Sequence, residues 1–302
     1  MSTASPTARP IDRLGVQLFT LAPMAARDLD ATLKLIAESG YKEVEFFGPY
    51  HFSPPESIAF WEPLAAQLGI SRIAYFGLTE QEVRARLDHY GLSAPAAHID
   101  LPTARMRLAE LAEAAHTLGH RYVVIPSARS EPLDTLDDYR RLAEELNAIG
   151  ARADALGLRF GYHNHGYEQA PIDGRVPLEV LLEETDPALV TFELDIYWMI
   201  AGGGDPVATL AAYPGRFALM HIKDMSPIVR FAERGQTPQE WMALFPNMRD
   251  AGAGELDLPG ILAQAERSGV QHFLLERDLA ADPVQTLQAS YRALVAIARA
   301  SA

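Results

Sequence analysis

Cysteine is absent from the chain, and basic residues are scarce relative to acidic ones. Without cysteine there is no thiolate nucleophile, no zinc–thiolate site and no disulfide. Lysine and arginine number 26 against 40 aspartates and glutamates, which gives a formal net charge of -14. A protein that binds nucleic-acid phosphates or an anionic membrane surface needs clustered cations, and the sequence has no such cluster. We therefore expect neither a nucleic acid nor a membrane as a partner.

The sequence also lacks the apolar segments that direct a chain into or across a membrane. No run of about 18 apolar residues is present, as a spanning helix would require. The start MSTASPTARPIDR has no apolar centre of the kind found in a secretory signal. We expect a soluble, cytoplasmic protein whose residues 1–12 form a flexible N-terminal extension. The oligomeric state stays open, with a homo-oligomer among the options.

What is present is a regular alternation of short apolar runs with segments of helical periodicity. The runs predict buried parallel strands at Leu14–Phe19, Glu43–Phe47, Ala94–His98, Tyr122–Ile125, Leu158–Tyr162, Val190–Asp195, Phe217–His221 and His272–Glu276. Helical spacing is clearest at 27–40, 103–119, 134–157 and 284–300. Eight strands alternating with helices predict one (β/α)8 TIM barrel domain over residues 1–302. A doubly wound open sheet is the alternative.

Two departures from this regular spacing are informative. Pro95 lies in the third predicted strand and indicates a strand start or an irregularity there. Residues 48–93 and 225–256 are long connections, and the second contains Trp241 and the glycine-rich AGAGELD. Long loops after barrel strands commonly carry function or act as lids.

Polar side chains are concentrated where the predicted strands end. In a TIM barrel these C-terminal ends surround one shared mouth, where the chemistry takes place. The residues there are His98, His163, His165, Glu193, Asp195, His221 and Glu276. Carboxylates that follow apolar strands are costly to bury unpaired, so a cation is expected among them. Mixed imidazole and carboxylate ligands suit one divalent metal ion, such as Mn, Mg, Co or Zn.

Each of these residues also has a purely structural interpretation. His163 or His165 could hydrogen-bond a backbone carbonyl at the edge of the core, and Asp195 could cap the segment that follows it. Glu276 could pair with Arg277, and His221 with Asp224. The coincidence of metal-capable residues at four consecutive strand ends favours a metal site over these separate explanations.

The motifs YHNHGYE, FELDIYW, LMHIKDM, GAGELD and LLERD carry a resemblance. The chain resembles the xylose isomerase-like TIM-barrel superfamily, which includes sugar phosphate isomerases and epimerases, over nearly its whole length. Members typically hold one divalent metal with Glu, Asp, His and Glu from strands five to eight. The resemblance implies Asp195, His221 and Glu276 for the last three. His163 occupies the place of the first Glu, with His165 a close alternative.

This substitution bears on the reaction. In ketose 3-epimerases of the superfamily, the first and last Glu act as bases on opposite faces of the substrate. The YHNH pattern looks more like the inosose dehydratase branch, which eliminates water next to a ketone. Both chemistries stabilise an enediolate by metal coordination while a positioned group moves a proton.

The resemblance therefore predicts a metal-dependent isomerase or epimerase acting on a sugar or keto-sugar. A keto-sugar or keto-inositol lyase, or dehydratase, is the first alternative, and a non-catalytic sugar-binding barrel is another. The apurinic endonucleases of the superfamily are disfavoured by the negative charge. The candidates for proton transfer are His98, His165, Glu168 and Glu276. Those for substrate contact are Trp198, Lys223 and Glu193.

Overall fold

In a computed structural model of the chain, residues 9–71, 73, 75–128 and 133–300 are described. Ten strands occur in this part of the chain, and eight of them close into a parallel barrel. The barrel strands are β1 (Gly15–Gln17), β2 (Glu43–Phe47), β3 (Ser93–His98), β4 (Tyr122–Ile125), β5 (Arg159–His163), β6 (Val190–Asp195), β7 (Phe217–Ile222) and β10 (His272–Leu275). Hydrogen bonding runs in the order β1-β10-β7-β6-β5-β4-β3-β2, back to β1. The predicted TIM barrel is confirmed, and the open-sheet alternative is wrong.

Helices follow the strands, and most of them cover the outside of the barrel. Their bounds are α1 (Ala22–Arg27), α2 (Leu29–Glu38), α3 (Pro55–Gln67), α4 (Glu80–Tyr90), α5 (Leu101–Met106), α6 (Leu108–Leu118), α7 (Leu136–Asp154), α8 (Pro177–Glu184), α9 (Ile196–Ala201), α10 (Pro206–Ala212), α11 (Pro238–Leu244), α12 (Leu258–Arg267) and α13 (Pro283–Ala300). Helix α7 shows why such segments begin where they do. Thr135 and Asp138 cap each other's backbone N–H groups, and the buried face then repeats at helical spacing. In the described ranges, no helix combines the length and the apolar composition that a membrane span requires.

The irregularity expected at Pro95 lies in the pairing of β2 with β3. Glu43 pairs with Ser93, but Glu45 pairs with Ala96, so β3 has one extra residue between the two contacts. A bulge of this kind absorbs a proline that cannot donate a backbone hydrogen bond. It also resets β3, and Phe47 at the end of β2 then pairs with His98.

The lumen of the barrel is apolar in one layer and polar in the next. Ala96, Val124 and Leu219 belong to a small buried cluster that is separate from the main core between barrel and helices. Gly161 lies at the same level, and a Cβ added there would come within 3.0 Å of Val124. Because every second residue of a strand faces the same side, the residues two positions further on also face the lumen. In β3, β5, β6 and β7 these are His98, His163, Glu193 and His221.

The long connection after β7 crosses the mouth of the barrel. It begins and ends in a two-stranded antiparallel ribbon of β8 (Asp224–Met225) and β9 (Met248–Arg249). The buried carboxylate of Asp224 accepts hydrogen bonds from the backbone N–H groups of Gly252 and Gly254. These bonds anchor the glycine-rich segment after β9. Residues 226–247, between β8 and β9, include α11 and form a separate excursion.

The N-terminal part of the chain joins the barrel before β1. Residues 1–8, within the extension expected at 1–12, lie outside the described part. From there a 3₁₀ helix, Pro10–Arg13, follows, and its Ile11 is buried in the main core. Arg9 donates a hydrogen bond to the backbone oxygen of Ala298 near the end of α13.

His120, just before β4, predicts an acid sensitivity of the fold. Its Nδ1 lies 2.7 Å from the Ala94 oxygen, and burial lowers the pKa of His120 to about 4. At pH values between that pKa and the ordinary value near 6.5, the unfolded chain binds a proton at His120 that the folded chain does not. The free energy of unfolding therefore decreases as the pH is lowered through this range. When the pH is lowered from 7 to 5, the free energy of unfolding should decrease in both proteins. We expect the decrease to be about 2 kcal/mol smaller in the His120→Asn protein than in wild type. Urea unfolding at both pH values measures this, and equal losses in the two proteins would contradict it.

Candidate active site

The mouth of the barrel gathers nearly all the polar strand-end residues into one buried cluster. Strands β5, β6, β7 and β10 are consecutive neighbours in the sheet, so their ends project into the same space. The cluster contains five carboxylates and four nitrogen-bearing side chains: Glu45, Glu193, Asp195, Glu276, Asp278, His98, His163, His221 and Lys223. All nine are buried. So many ionisable groups stay buried only because they contact one another.

The lower level of the cluster is centred on Glu193. One oxygen of its carboxylate lies 2.6 Å from His98 Nε2 and 2.9 Å from His163 Nδ1. The other oxygen is 3.3 Å from His221 Nε2. That same His221 nitrogen lies 2.7 Å from Glu45 Oε2, which also accepts a hydrogen bond of 2.7 Å from Gln17.

The upper level is centred on Lys223. Its ammonium group lies 3.0 Å from Asp195 Oδ2, 2.8 Å from Glu276 Oε2 and 2.9 Å from Asp278 Oδ2. Two imidazoles join the two levels. His221 Nδ1 is 2.8 Å from Glu276 Oε2, and His163 Nε2 is 3.7 Å from Asp195 Oδ2.

The charge states follow from these contacts. Burial alone would lower the pKa of His221, but the carboxylates of Glu193, Glu276 and Glu45 hold it well above its usual value. Burial is likewise outweighed at Lys223, where Asp195, Asp278 and Glu276 raise the pKa. At His163 burial prevails, and its pKa falls to about 4 despite the hydrogen bond to Glu193. Burial raises the pKa of Glu45. The pocket therefore mixes charged and neutral groups and is strongly polarised.

Two overlapping sets of side chains have the geometry of a metal centre. The ligand atoms of Asp195, His221 and Glu276 lie within 4.8 Å of one another, and so do those of His98, His163, Glu193 and His221. The Oδ2 atom of Asp195 accepts no hydrogen bond from the described residues, although it contacts Lys223. Carboxylate oxygens with imidazole nitrogens suit Mn, Co or Zn. The residues present therefore fit a divalent cation.

The structural interpretations of the strand-end residues hold only in part. Glu276 contacts His221 and Lys223, while Arg277 pairs with Asp250. The carboxylate of Asp224 anchors the loop after β9. Two interpretations are confirmed. The His165 ring hydrogen-bonds the backbone of Pro126. The cap is the second, because Asp195 Oδ1 accepts a 2.9 Å hydrogen bond from the Trp198 N–H at the start of α9. This bond fixes the carboxylate and leaves its second oxygen facing the cluster.

Aromatic rings cover the cluster, and His165 lies among them. Its ring centre is 4.7 Å from that of Trp241, 5.9 Å from that of Trp198 and 4.8 Å from that of His163. Trp198 stacks on Phe231 and lies 5.5 Å from the Lys223 ammonium. Trp241 and Phe231 belong to the excursion between β8 and β9, so that segment forms the roof of the mouth. His165 is half-buried beneath it.

Glu168, a sequence candidate for proton transfer, lies elsewhere. Its carboxylate accepts hydrogen bonds from the Tyr162 hydroxyl and the His165 backbone N–H. Because Tyr162 precedes the lumen-facing His163 in β5, its side chain is on the opposite side of the strand. We correct the expectation accordingly: Glu168 holds the turn that carries His165 and does not reach the cluster. Glu193, expected to contact substrate, is fully buried beneath three histidines.

Sequence reasoning missed Glu45, Gln17 and Asp278. A signal existed for Glu45, which alternates with the apolar Val44 and Phe46 inside a strand. Asp278 lies two residues beyond Glu276, the spacing that places both on one side of an extended chain. Asn164 was also passed over. Its amide bonds both the backbone N–H and C=O of Asp195, at 2.9 and 3.1 Å, and joins β5 to β6 beside the cluster.

Comparison with known proteins places the chain in a family. It is 30% identical over 101 residues to an inosose dehydratase from Bacillus anthracis, a match covering 33% of each chain. The match thus spans about a third of the curated relative's length. A sugar phosphate isomerase/epimerase structure from Parabacteroides distasonis superposes with a TM-score of 0.70 and 23% identity, over 96% of this chain and 95% of that one.

A structure of the IolI protein with a bound zinc atom superposes with a TM-score of 0.64 and 15% identity, over 96% of this chain and 97% of that one. At these identities the two structures establish the fold alone. The family model described as a xylose isomerase-like TIM barrel matches residues 33–295, which is most of the sequence. The chain therefore belongs to the xylose isomerase-like TIM barrel family.

Proposed function

We propose that this protein is a divalent-metal-dependent isomerase or epimerase that acts on a keto-sugar by moving a proton next to its carbonyl. The observation that carries the proposal is the convergence of Asp195, His221 and Glu276 from three adjacent strands, with ligand atoms within 4.8 Å. His163, whose Nε2 is 3.7 Å from Asp195 Oδ2, would complete the set. A divalent cation held there would supply Lewis-acid assistance to a carbonyl.

The chain's own residues would move the proton. Glu276 is one of the more accessible carboxylates of the cluster, at 7% exposure, and its Oε2 would accept the proton removed from the carbon next to the carbonyl. Lys223, 2.8 Å away, would hold that carboxylate in place and offer an N–H to a substrate oxygen. His165 follows β5, three strands from β10 around the barrel. Burial lowers the pKa of His165 well below its usual value, so it would act as a neutral acid–base group on the other side of the substrate.

The roof would bind and shield the substrate. The rings of Trp198 and Trp241 would form the apolar wall of a pocket above the polar cluster, the combination expected of a small-molecule site with a few orienting polar groups. Excluding water would also strengthen the electrostatic contacts beneath them.

A keto-sugar or keto-inositol dehydratase is the second candidate. The observation that favours it is His163 at the end of β5, where a two-base epimerase would have a carboxylate. With Glu276 as the one carboxylate base, the site would remove a proton and a histidine would assist loss of a neighbouring hydroxyl. The 30% identity to an inosose dehydratase over a third of the chain is consistent with this chemistry.

Incubation with keto-sugars and inososes in deuterated water tests both candidates. We expect metal-dependent incorporation of deuterium next to the carbonyl. Exchange that accompanies an isomer or epimer identifies the first function, and an enone product identifies the second. The His221→Gln protein is the control for traces of other enzymes. Binding of these sugars without exchange or elimination, in metal-loaded protein, would contradict both and indicate a barrel that only binds sugars.

A further inference from the structure

The two imidazoles assigned to the metal by the proposed function each have one nitrogen at the upper level of the cluster and one at the lower level. His163 Nε2 lies 3.7 Å from Asp195 Oδ2, whereas its Nδ1 lies 2.9 Å from Glu193 Oε2. His221 has the opposite orientation. Its Nδ1 lies 2.8 Å from Glu276 Oε2, and its Nε2 faces the lower level. The two rings therefore present unlike nitrogens to the same place.

A carboxylate meets each of the nitrogens that face the lower level. Glu193 lies beside His163, and Glu45 Oε2 lies 2.7 Å from His221 Nε2. Both glutamates are fully buried, and neither belongs to the ligands of the proposed function. Because an ionised carboxylate only accepts hydrogen bonds, these contacts require a proton on Nδ1 of His163 and on Nε2 of His221.

Further hydrogen bonds hold the two carboxylates in these positions. The side-chain oxygen of Gln17 accepts a hydrogen bond from the Phe19 N–H, so the Gln17 amide nitrogen is turned toward Glu45. It donates to Glu45 Oε2 at 2.7 Å, which identifies that oxygen as an acceptor. Glu193 Oε2 has a second imidazole partner, because His98 Nε2 lies 2.6 Å from it. The lower level is therefore a connected set of side chains from β1, β2, β3 and β6.

We propose that Glu193 and Glu45 are positioning residues, which fix the tautomers of His163 and His221 so that both rings direct a lone pair to the mouth. A neutral imidazole has one nitrogen free to ligate, and a carboxylate on the other nitrogen fixes the ring and raises its basicity. The inference rests on the metal ligands of the proposed function. It adds why two of the most deeply buried carboxylates of the barrel lie below those ligands.

Nitrogen NMR of Zn²⁺-loaded protein with isotope-labelled histidine tests the tautomers directly. We expect two histidines to bind the metal through unlike nitrogens, His163 through Nε2 and His221 through Nδ1. Each should carry its proton on the nitrogen that faces the lower level. The Glu45→Gln protein assigns the two rings, because the N–H signal that shifts in this variant belongs to His221.

Loss of either carboxylate should also weaken metal binding. The Glu193→Gln and Glu45→Gln proteins should bind Zn²⁺ about tenfold to a hundredfold more weakly than wild type, because a neutral amide oxygen leaves the ligating ring less basic. Glu43→Gln is the matched control. Glu43 precedes Glu45 by two residues in β2, is also buried, and lies 2.7 Å from His272 Nδ1. Because this pair is outside the cluster, Glu43→Gln should bind Zn²⁺ as wild type does.

The outcomes separate this inference from the proposed function. Coordination through Nδ1 of His163 or Nε2 of His221 would overturn the inference, and so would wild-type affinity in both Glu193→Gln and Glu45→Gln. The deuterium-exchange assay on the same Zn²⁺-loaded wild type is scored separately, so the expected tautomers without exchange would contradict the proposed function alone. Absence of Zn²⁺ binding in wild type would contradict both. The NMR measurement on unmodified protein decides the tautomers even if a variant does not fold, and circular dichroism checks each variant.

Discussion

The His221→Gln protein is expected to lose its metal and to have no measurable activity. His221 belongs to both groups of candidate ligands, and its nitrogens lie 2.7 Å from Glu45 and 2.8 Å from Glu276. Glutamine fills much of the same space but offers no imidazole nitrogen. Losing a direct ligand should cost at least the hundredfold in affinity that loss of an outer partner can cost. Elemental analysis of the purified protein and the deuterium-exchange assay measure the two effects.

His272→Gln is the matched control for this variant. His272 starts β10, near the opposite end of the barrel, and its Nδ1 lies 2.7 Å from the Glu43 carboxylate. His272 and Glu43 therefore form another histidine–glutamate pair within the barrel, and neither residue belongs to the cluster at the mouth. We expect some loss of stability in His272→Gln but unchanged metal content. Full metal occupancy in His221→Gln, with wild-type metal in the control, would rule out both ligand sets.

The fold could be predicted because local signals agreed with the final packing. The bounds of β2, β4 and β6 match the prediction residue for residue, since each is a continuous apolar or alternating run. The first strand is shorter than expected and ends at Gln17, whose side chain accepts a hydrogen bond from the Phe19 N–H and starts a 3₁₀ turn. The helix expected at 103–119 is two helices with a break at Arg107, where φ is -128°.

The site could be predicted only as far as strand ends determine it. Each strand-end residue is visible in the sequence, and the barrel brings most of them together without further information. The side chains that contact these strand-end residues could not be predicted. His221, for example, contacts Glu45, which is 176 positions away in the chain. The path of the chain after β5 could not be predicted either, so the sequence did not show that Glu168 lies away from the lumen. Alternation along a strand fixes the side, but the turn after it depends on Tyr162 and Gly166.

The Glu276→Gln protein should lose proton exchange by about a hundredfold to ten-thousandfold, the contribution usual for a general base. Glutamine keeps the shape of the side chain and one oxygen, so the contacts with Lys223 and His221 can persist. It cannot accept a proton at the position now held by Oε2. We expect kcat to fall with little change in KM, because the binding surface is preserved. The measurement is the exchange rate in metal-loaded protein, with metal content determined on the same sample.

Asp278→Asn separates proton transfer from the loss of negative charge beside Lys223. Both Glu276 and Asp278 contact that ammonium, at 2.8 and 2.9 Å, and both are 7% exposed. Only Glu276 also contacts His221. If charge around Lys223 were what mattered, the two variants would lose activity equally. If Glu276 is the base, the Asp278→Asn protein should stay within about tenfold of wild type while Glu276→Gln does not. Exchange within tenfold of wild type in Glu276→Gln would remove Glu276 from the mechanism and transfer the role of base to a histidine.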